Sequence, residues 1–279
     1  MGLAIIGLPL RHDGRVKVAP RHPLNTTFRW SPAAAAGRIV TDEQASQWND
    51  KGYFLLRQAI ELDQLEAVRA AIDPLEAQMT EHLRSRGGRV SISDADAITF
   101  TTHLVKRSKL LRDFASGEPF ASLCHDLVGP DVRLYWDQSV YKKPEPSREF
   151  PWHQDNGYTF IEPQQYLTCW VPLVDATVDN GCPWVMPGLH RQGTLEHWWT
   201  PVGFECVEDA EGGVAVEADA GDVVVFSSLT PHRTGPNISD EVRKAYILQY
   251  APDGAVVLPR DDGSTAVRQD DPDRQFRIS

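Results

Sequence analysis

The stretch Phe150-Pro151-Trp152-His153-Gln154-Asp155-Asn156-Gly157-Tyr158 decides how the rest of this chain is read. In extended backbone, residues i and i+2 point to the same side, so His153 and Asp155 aim into one space while Gln154 turns away. An imidazole nitrogen and a carboxylate oxygen suit a borderline first-row metal such as Fe(II). A His-x-Asp triplet also arises by chance, so the reading needs a third ligand. His232 supplies it: it follows the strand-like run Gly221-Asp222-Val223-Val224-Val225-Phe226 and lies among turn residues. Two histidines and one carboxylate occupy one face of an octahedron and leave three positions open. Eleven residues after His232 stands Arg243, at the head of the apolar run Ala245–Tyr250. Its planar fork can grip a carboxylate near that face with two parallel charge-assisted hydrogen bonds.

Working outward, Thr41-Asp42-Glu43-Gln44 is a capping box that starts a helix, and Gly52 ends it. Tyr53–Arg57 reads as a strand. Leu65, Val68, Ile72, Leu75, Met79 and Leu83 recur at spacings of three and four, the apolar stripe of a second helix packed on a sheet, with Pro74 as a kink or interruption. The polar, aperiodic stretch 86–102 reads as an irregular segment and a candidate lid. Lys106, Arg107, Lys109 and Arg112 form a basic cluster whose ordinary reading is a solvated helix face. A third helix spans Leu110 to Leu127.

From Val132 on, short strand-like runs follow one another between turn signals: 132–141, 153–155, 167–173, 183–186, 214–217, 223–226 and 245–251. Many short strands after a helical part predict a mainly β fold with helical additions, a jelly-roll whose N-terminal helices buttress one sheet. The organisation expected is an arm over 1–40, a single domain over 41–260, and a tail over 261–279 that is loose at its end.

The order H-Q-D at 153–155, G-D-x-x-x-F at 221–226, H-x-x-G-x-N at 232–237 and Arg243 resembles the phytanoyl-CoA dioxygenase family. So do Lys143-Pro144, Trp170-Val171-Pro172-Leu173, Asp179-Asn180-Gly181-Cys182 and Met186-Pro187-Gly188-Leu189-His190. The resemblance implies a double-stranded β-helix of the cupin-like kind. It implies Fe(II) held by His153, Asp155 and His232, and 2-oxoglutarate and O2 as cosubstrates. It places Arg243 on the distal carboxylate of 2-oxoglutarate, Thr234 beside it, and Trp170 and Tyr141 near the same cosubstrate. Gln138 and Trp152 are candidate substrate contacts. The implied reaction hydroxylates a small molecule with release of succinate and CO2, the substrate being a natural-product intermediate or an amino-acid-like metabolite. Desaturation, epoxidation or cyclisation with the same cofactors, or a non-redox metal-binding jelly-roll, are the alternatives. Among the other histidines, His190 and His197 are the nearest competitors for a metal, and His190 reads as structural.

The remaining composition bounds this reading. The chain has 279 residues and a net charge of -11, which disfavours nucleic acid and anionic membranes as partners. Four separated cysteines without a C-x-x-C pair read as reduced thiols of a cytoplasmic protein. Residues 1–10 lack the marks of a signal peptide and fail the myristoylation pattern at Ile6. No apolar run approaches a membrane span.

Overall fold

A computed structural model describes residues 17–33, 37–208, 213–259 and 265–278. The reading of residues 1–10 lies outside them. Two antiparallel sheets face one another. The large sheet has eight strands in the order Tyr53–Leu56, Val223–Ser227, Leu167–Pro172, Arg243–Pro252, Val132–Lys142, Ile98–Thr102, Ser93–Asp94 and Arg89–Val90. The small sheet has four, in the order Val214–Ala215, Pro183–Val185, His232–Thr234 and Phe150–His153. This is the double-stranded β-helix, or jelly-roll, expected from the strand pattern.

Strand alternation divides the large sheet into two apolar layers. Cys169, Val171, Val225, Tyr246 and Leu248 point outward and pack with helices α1 (Asp42–Lys51), α2 (Leu62–Ser85), α3 (Lys109–Ser116) and α4 (Phe120–Leu127). Trp170, Val224, Phe226, Ala245 and Ile247 point inward, toward Val185 and Phe150 of the small sheet. Buttressing helices therefore cover one face only, and the other is left to line a space between the sheets.

The capping box of α1 is formed, with Thr41 and Gln44 each bonding the other's backbone, and Gly52 closes the helix at φ 83°. Three local expectations are corrected. Pro74 does not interrupt α2, which runs 24 residues through it. The helix expected over 110–127 is two, because Gly117 leaves helical geometry (φ -87°, ψ -171°) and Pro119 offers no backbone donor. The stretch 86–102 is mostly strand: Arg89–Asp94 is a hairpin, and Ile98–Thr102 pairs along Gln138–Lys142. Its alternation was present but short, with Thr99 and Thr101 turned to the helices and Ile98 and Phe100 turned in.

The C-terminal end is not loose as expected. Ile278 donates its N–H to the Val132 carbonyl, and Phe276 packs into the outer core. All four cysteines are buried and unpaired. Among the described residues, no helix is long and apolar enough to cross a membrane.

Candidate active site

His153 ends its strand in the small sheet, and His232 begins the neighbouring one; the two residues are register partners. Asp155 is not in the extended backbone expected of it. Gln154 is extended, and Asp155 opens a single helical turn, Asp155–Tyr158. The carboxylate still arrives beside the histidines because Gln154 is anchored the other way. Its buried side chain donates to the Gly193 and Leu229 carbonyls and accepts the Leu195 N–H.

The ligand atoms of His153, Asp155 and His232 lie within 4.8 Å of one another. Their tautomers follow from their partners. His153 Nδ1 is 2.8 Å from the Pro151 carbonyl, and His232 Nδ1 is 3.0 Å from that of Thr230. A carbonyl oxygen only accepts, so each Nδ1 carries the proton and each Nε2 presents a bare lone pair. His232 Nε2 is 3.8 Å from Asp155 Oδ1. Thr168 donates to the other Asp155 oxygen at 2.6 Å, and Gln249 also bonds this carboxylate. Burial and the neighbouring His232 hold the His153 imidazole well below its ordinary value, while burial raises Asp155. Two bare imidazole nitrogens beside a buried carboxylate fit a divalent iron-type metal, which would relieve the desolvation of all three. Support for His232 reaches back to α1, since Thr230 Oγ1 donates to the carbonyl of Gly52. A Cβ at Gly52 would stand 2.5 Å from that oxygen.

Arg243 is fully buried and lines the same cavity. One Nη donates to the Val140 carbonyl at 3.2 Å, whereas Nε and the other Nη have no partner. The guanidinium carbon lies 5.3 Å from the Trp170 ring centre. Burial lowers Arg243 to about 10, which leaves it a cation at neutral pH. A buried guanidinium without an anion is costly, so the cavity fits a ligand carboxylate at this point.

Thr234 and Trp170 also line the cavity, as does Gln138. Tyr141 does not: its hydroxyl donates to Asp73 of α2 at 2.6 Å, on the outer face. Strand parity separates it from Gln138, and that parity outweighs the position inferred from the resemblance. Trp152 is also outside, packed against Ala19, Met186, Leu195 and Cys206, with the Arg233 guanidinium 5.3 Å over its ring. His190 and His197 stay out of the metal cluster. His190 packs edge-on to Trp30, and His197 Nε2 accepts the Gln154 N–H.

Several lining residues were missed: Thr168 and Gln249 on Asp155, and Phe100, Thr102 and Trp136 along the wall. Thr168 lies two before Trp170 and Gln249 six after Arg243, so period-two counting from the recognised residues would have found both. Lys142 was missed too. Its ammonium donates to the Thr234 carbonyl and hydroxyl at 3.3 Å and to the Gly235 carbonyl, behind the cavity wall. Burial and the neighbouring Arg243 bring it down to about 7.

The phytanoyl-CoA dioxygenase (PhyH) family model matches residues 48–245. A phytanoyl-CoA dioxygenase of Arabidopsis thaliana is 28% identical over 145 residues, half of this chain and about half (51%) of that protein. A methylphosphonate hydroxylase of Gimesia maris is 24% identical over 212 residues, 76% of this chain and 80% of that protein. Among solved structures, the epimerase SnoN in complex with Fe3+, alpha-ketoglutarate and nogalamycin RO has a TM-score of 0.67 at 20% identity, covering 85% of this chain and 98% of that one. With the matched segment running from α1 to the strand that carries Arg243, the chain belongs to the phytanoyl-CoA dioxygenase family of iron- and 2-oxoglutarate-dependent dioxygenases.

Proposed function

We propose that His153, Asp155 and His232 hold the iron, that Arg243 with Thr234 and Trp170 holds 2-oxoglutarate, and that the rest of the cavity takes a small molecule for hydroxylation. The observation that carries this is the unpaired, buried Arg243 guanidinium in the same cavity as two bare histidine nitrogens and a carboxylate. A passive metal-binding jelly-roll has no use for a carboxylate clamp. When bound, iron with 2-oxoglutarate and O2 supplies the oxidant, and the cosubstrate leaves as succinate and CO2.

The chain's own part is positional. Pro151 and Thr230 fix both imidazole tautomers. Thr168 and Gln249 bond the Asp155 carboxylate, which aims it and opposes the upward shift caused by burial. Lys142 donates to the Thr234 oxygen, so the Thr234 hydroxyl proton is free to point to a ligand carboxylate. Trp170 lies against Arg243 and limits its motion. The apolar walls exclude water from the reacting groups. The deciding experiment is a substrate screen that follows succinate formation above the rate without substrate. Stimulation that disappears in Asp155→Ala supports the reading. Succinate release that persists undiminished in that variant contradicts it.

A further inference from the structure

Resting on that assignment of iron and 2-oxoglutarate, we infer that the substrate is an uncharged, mostly apolar ring compound bearing a hydrogen-bond acceptor such as a carbonyl or hydroxyl oxygen. The first ground is the charge inventory. Of the described residues lining the cavity, only Asp155 and Arg243 carry charge, and both are committed to the iron and the cosubstrate. The basic groups close in sequence to the lining are occupied: Arg233 pairs with Glu149, Lys244 with Asp73 at 2.8 Å, and Lys142 donates to Thr234 and the Gly235 carbonyl. Arg148 pairs with Asp94 at 2.8 Å, Arg89 donates to the Pro201 carbonyl, and Lys143 donates to Thr80 and the Ala95 carbonyl. The cluster noted in the sequence does not reach the cavity either. Lys109 pairs with Asp113, and Arg112 donates to the Pro272 and Asp273 carbonyls on the helical side. A phosphonate, a thioester of a phosphorylated carrier or a zwitterionic amino acid would bury charge here without a partner.

The second ground is the shape and polarity of the wall. Phe100, Trp136, Phe150 and Tyr158 present rings, and Ile98 and Ile247 present aliphatic surface. Such walls suit flat apolar faces. The polar groups among them offer protons. Gln138 Oε1 is 3.1 Å from Trp136 Nε1, and an indole N–H only donates. The carboxamide is therefore oriented with its oxygen on Trp136 and its NH2 available. Ser93 Oγ accepts the Phe100 N–H at 3.3 Å, which leaves its own proton to give. These donors call for an acceptor on the substrate. The cavity of about 390 Å³ is shared with 2-oxoglutarate, so the buried part of the substrate is a small ring system.

The test uses the anaerobic Fe(II)/2-oxoglutarate holoenzyme and three probes on one skeleton: neutral 2-acetylnaphthalene, anionic 2-naphthoate and cationic 2-naphthylmethylammonium. Binding is read by quenching of tryptophan fluorescence. 2-Oxoglutarate is titrated on the same preparation through the metal-to-ligand charge-transfer band, which reports on the cofactor assignment separately. The expected result is that the neutral probe binds about tenfold or more tighter than either ion, and that Gln138→Leu reduces its affinity by about tenfold. An ion that binds as tightly as the neutral probe overturns the inference. So does failure of all three to bind while 2-oxoglutarate still does. Loss of the 2-oxoglutarate band itself would instead count against the cofactor assignment.

Discussion

On the outer face of the large sheet, most charge is matched within the protein. Asp73 of α2 receives the Tyr141 hydroxyl and the Lys244 ammonium, and Glu76 receives Thr80 and Thr99 with Lys143 at 3.7 Å. Asp137, also outward, keeps one oxygen unpaired, but burial pushes it up to about 6, so below that pH it becomes neutral by taking a proton. On the inner face, Arg243 has two unpaired nitrogens and cannot become neutral near pH 7. Outer-face Asp73 and Glu76 find partners in the chain, although Asp137 Oδ1, Ser139 Oγ and Thr101 Oγ1 do not, whereas the inner-face Arg243 guanidinium is an unpaired cation that a ligand carboxylate would complete. A persistent unpaired charge marks a binding group better than burial does, since Glu76 and Asp137 on the outer face and Arg243 on the inner face are all buried.

Three changes sharpen or break this contrast, in descending size of effect. Alanine at His153, Asp155 or His232 should abolish turnover and bound iron while leaving the far-ultraviolet circular dichroism intact, because these three side chains line the cavity and are not part of the apolar cluster that joins the sheets. A variant that retains stoichiometric iron by elemental analysis removes that residue from the metal site. Asp137 gives the next largest effect. Its folded pKa is raised from 3.8 to about 6. The folded form therefore prefers the protonated carboxyl, with the benefit fully present below the unfolded value and lost as pH rises through about 6. Two pKa units correspond to about 3 kcal/mol. Urea unfolding should show stability falling between about pH 4 and 6 in the wild type, and a flatter profile in Asp137→Asn. Equal profiles would mean that Asp137 is not strained by burial. The smallest effect belongs to Tyr141→Phe, which should cost about 1 kcal/mol of stability through the lost bond to Asp73 and leave 2-oxoglutarate affinity unchanged. A weakened 2-oxoglutarate titration would return Tyr141 to the cosubstrate pocket.

Much of this was legible from residue spacing. The capping box and most strand runs after Val132 are local patterns that form where expected; the run 153–155 does not, its strand being Phe150–His153, and α2 buries Glu76 and Thr80 while Leu75 and Met79 are only partly buried. That His153, Asp155, His232 and Arg243 share one cavity followed from the family resemblance, and all four line it. What was missed has physical reasons. The hairpin Arg89–Asp94 is too short to show a period. The turn at Asp155 depends on Gln154 being held by Gly193, Leu195 and Leu229, which are distant in sequence. Tyr141 and Trp152 were placed near the pocket by position rather than by facing. For Tyr141 the strand alternation already argued otherwise, while Trp152 is turned away by packing against the N-terminal arm at Ala19.

The central claim is that the inner face is completed by a carboxylate on Arg243. The direct test is Arg243→Met, titrated anaerobically with Fe(II) and then with 2-oxoglutarate and followed by the charge-transfer band. Losing the partner of a buried charge costs roughly 3–5 kcal/mol, about two to three powers of ten in affinity. The account predicts that loss for 2-oxoglutarate with Fe(II) binding retained, and an intermediate value for Arg243→Lys, which keeps the charge but not the fork. Wild-type affinity for 2-oxoglutarate in Arg243→Met would contradict it.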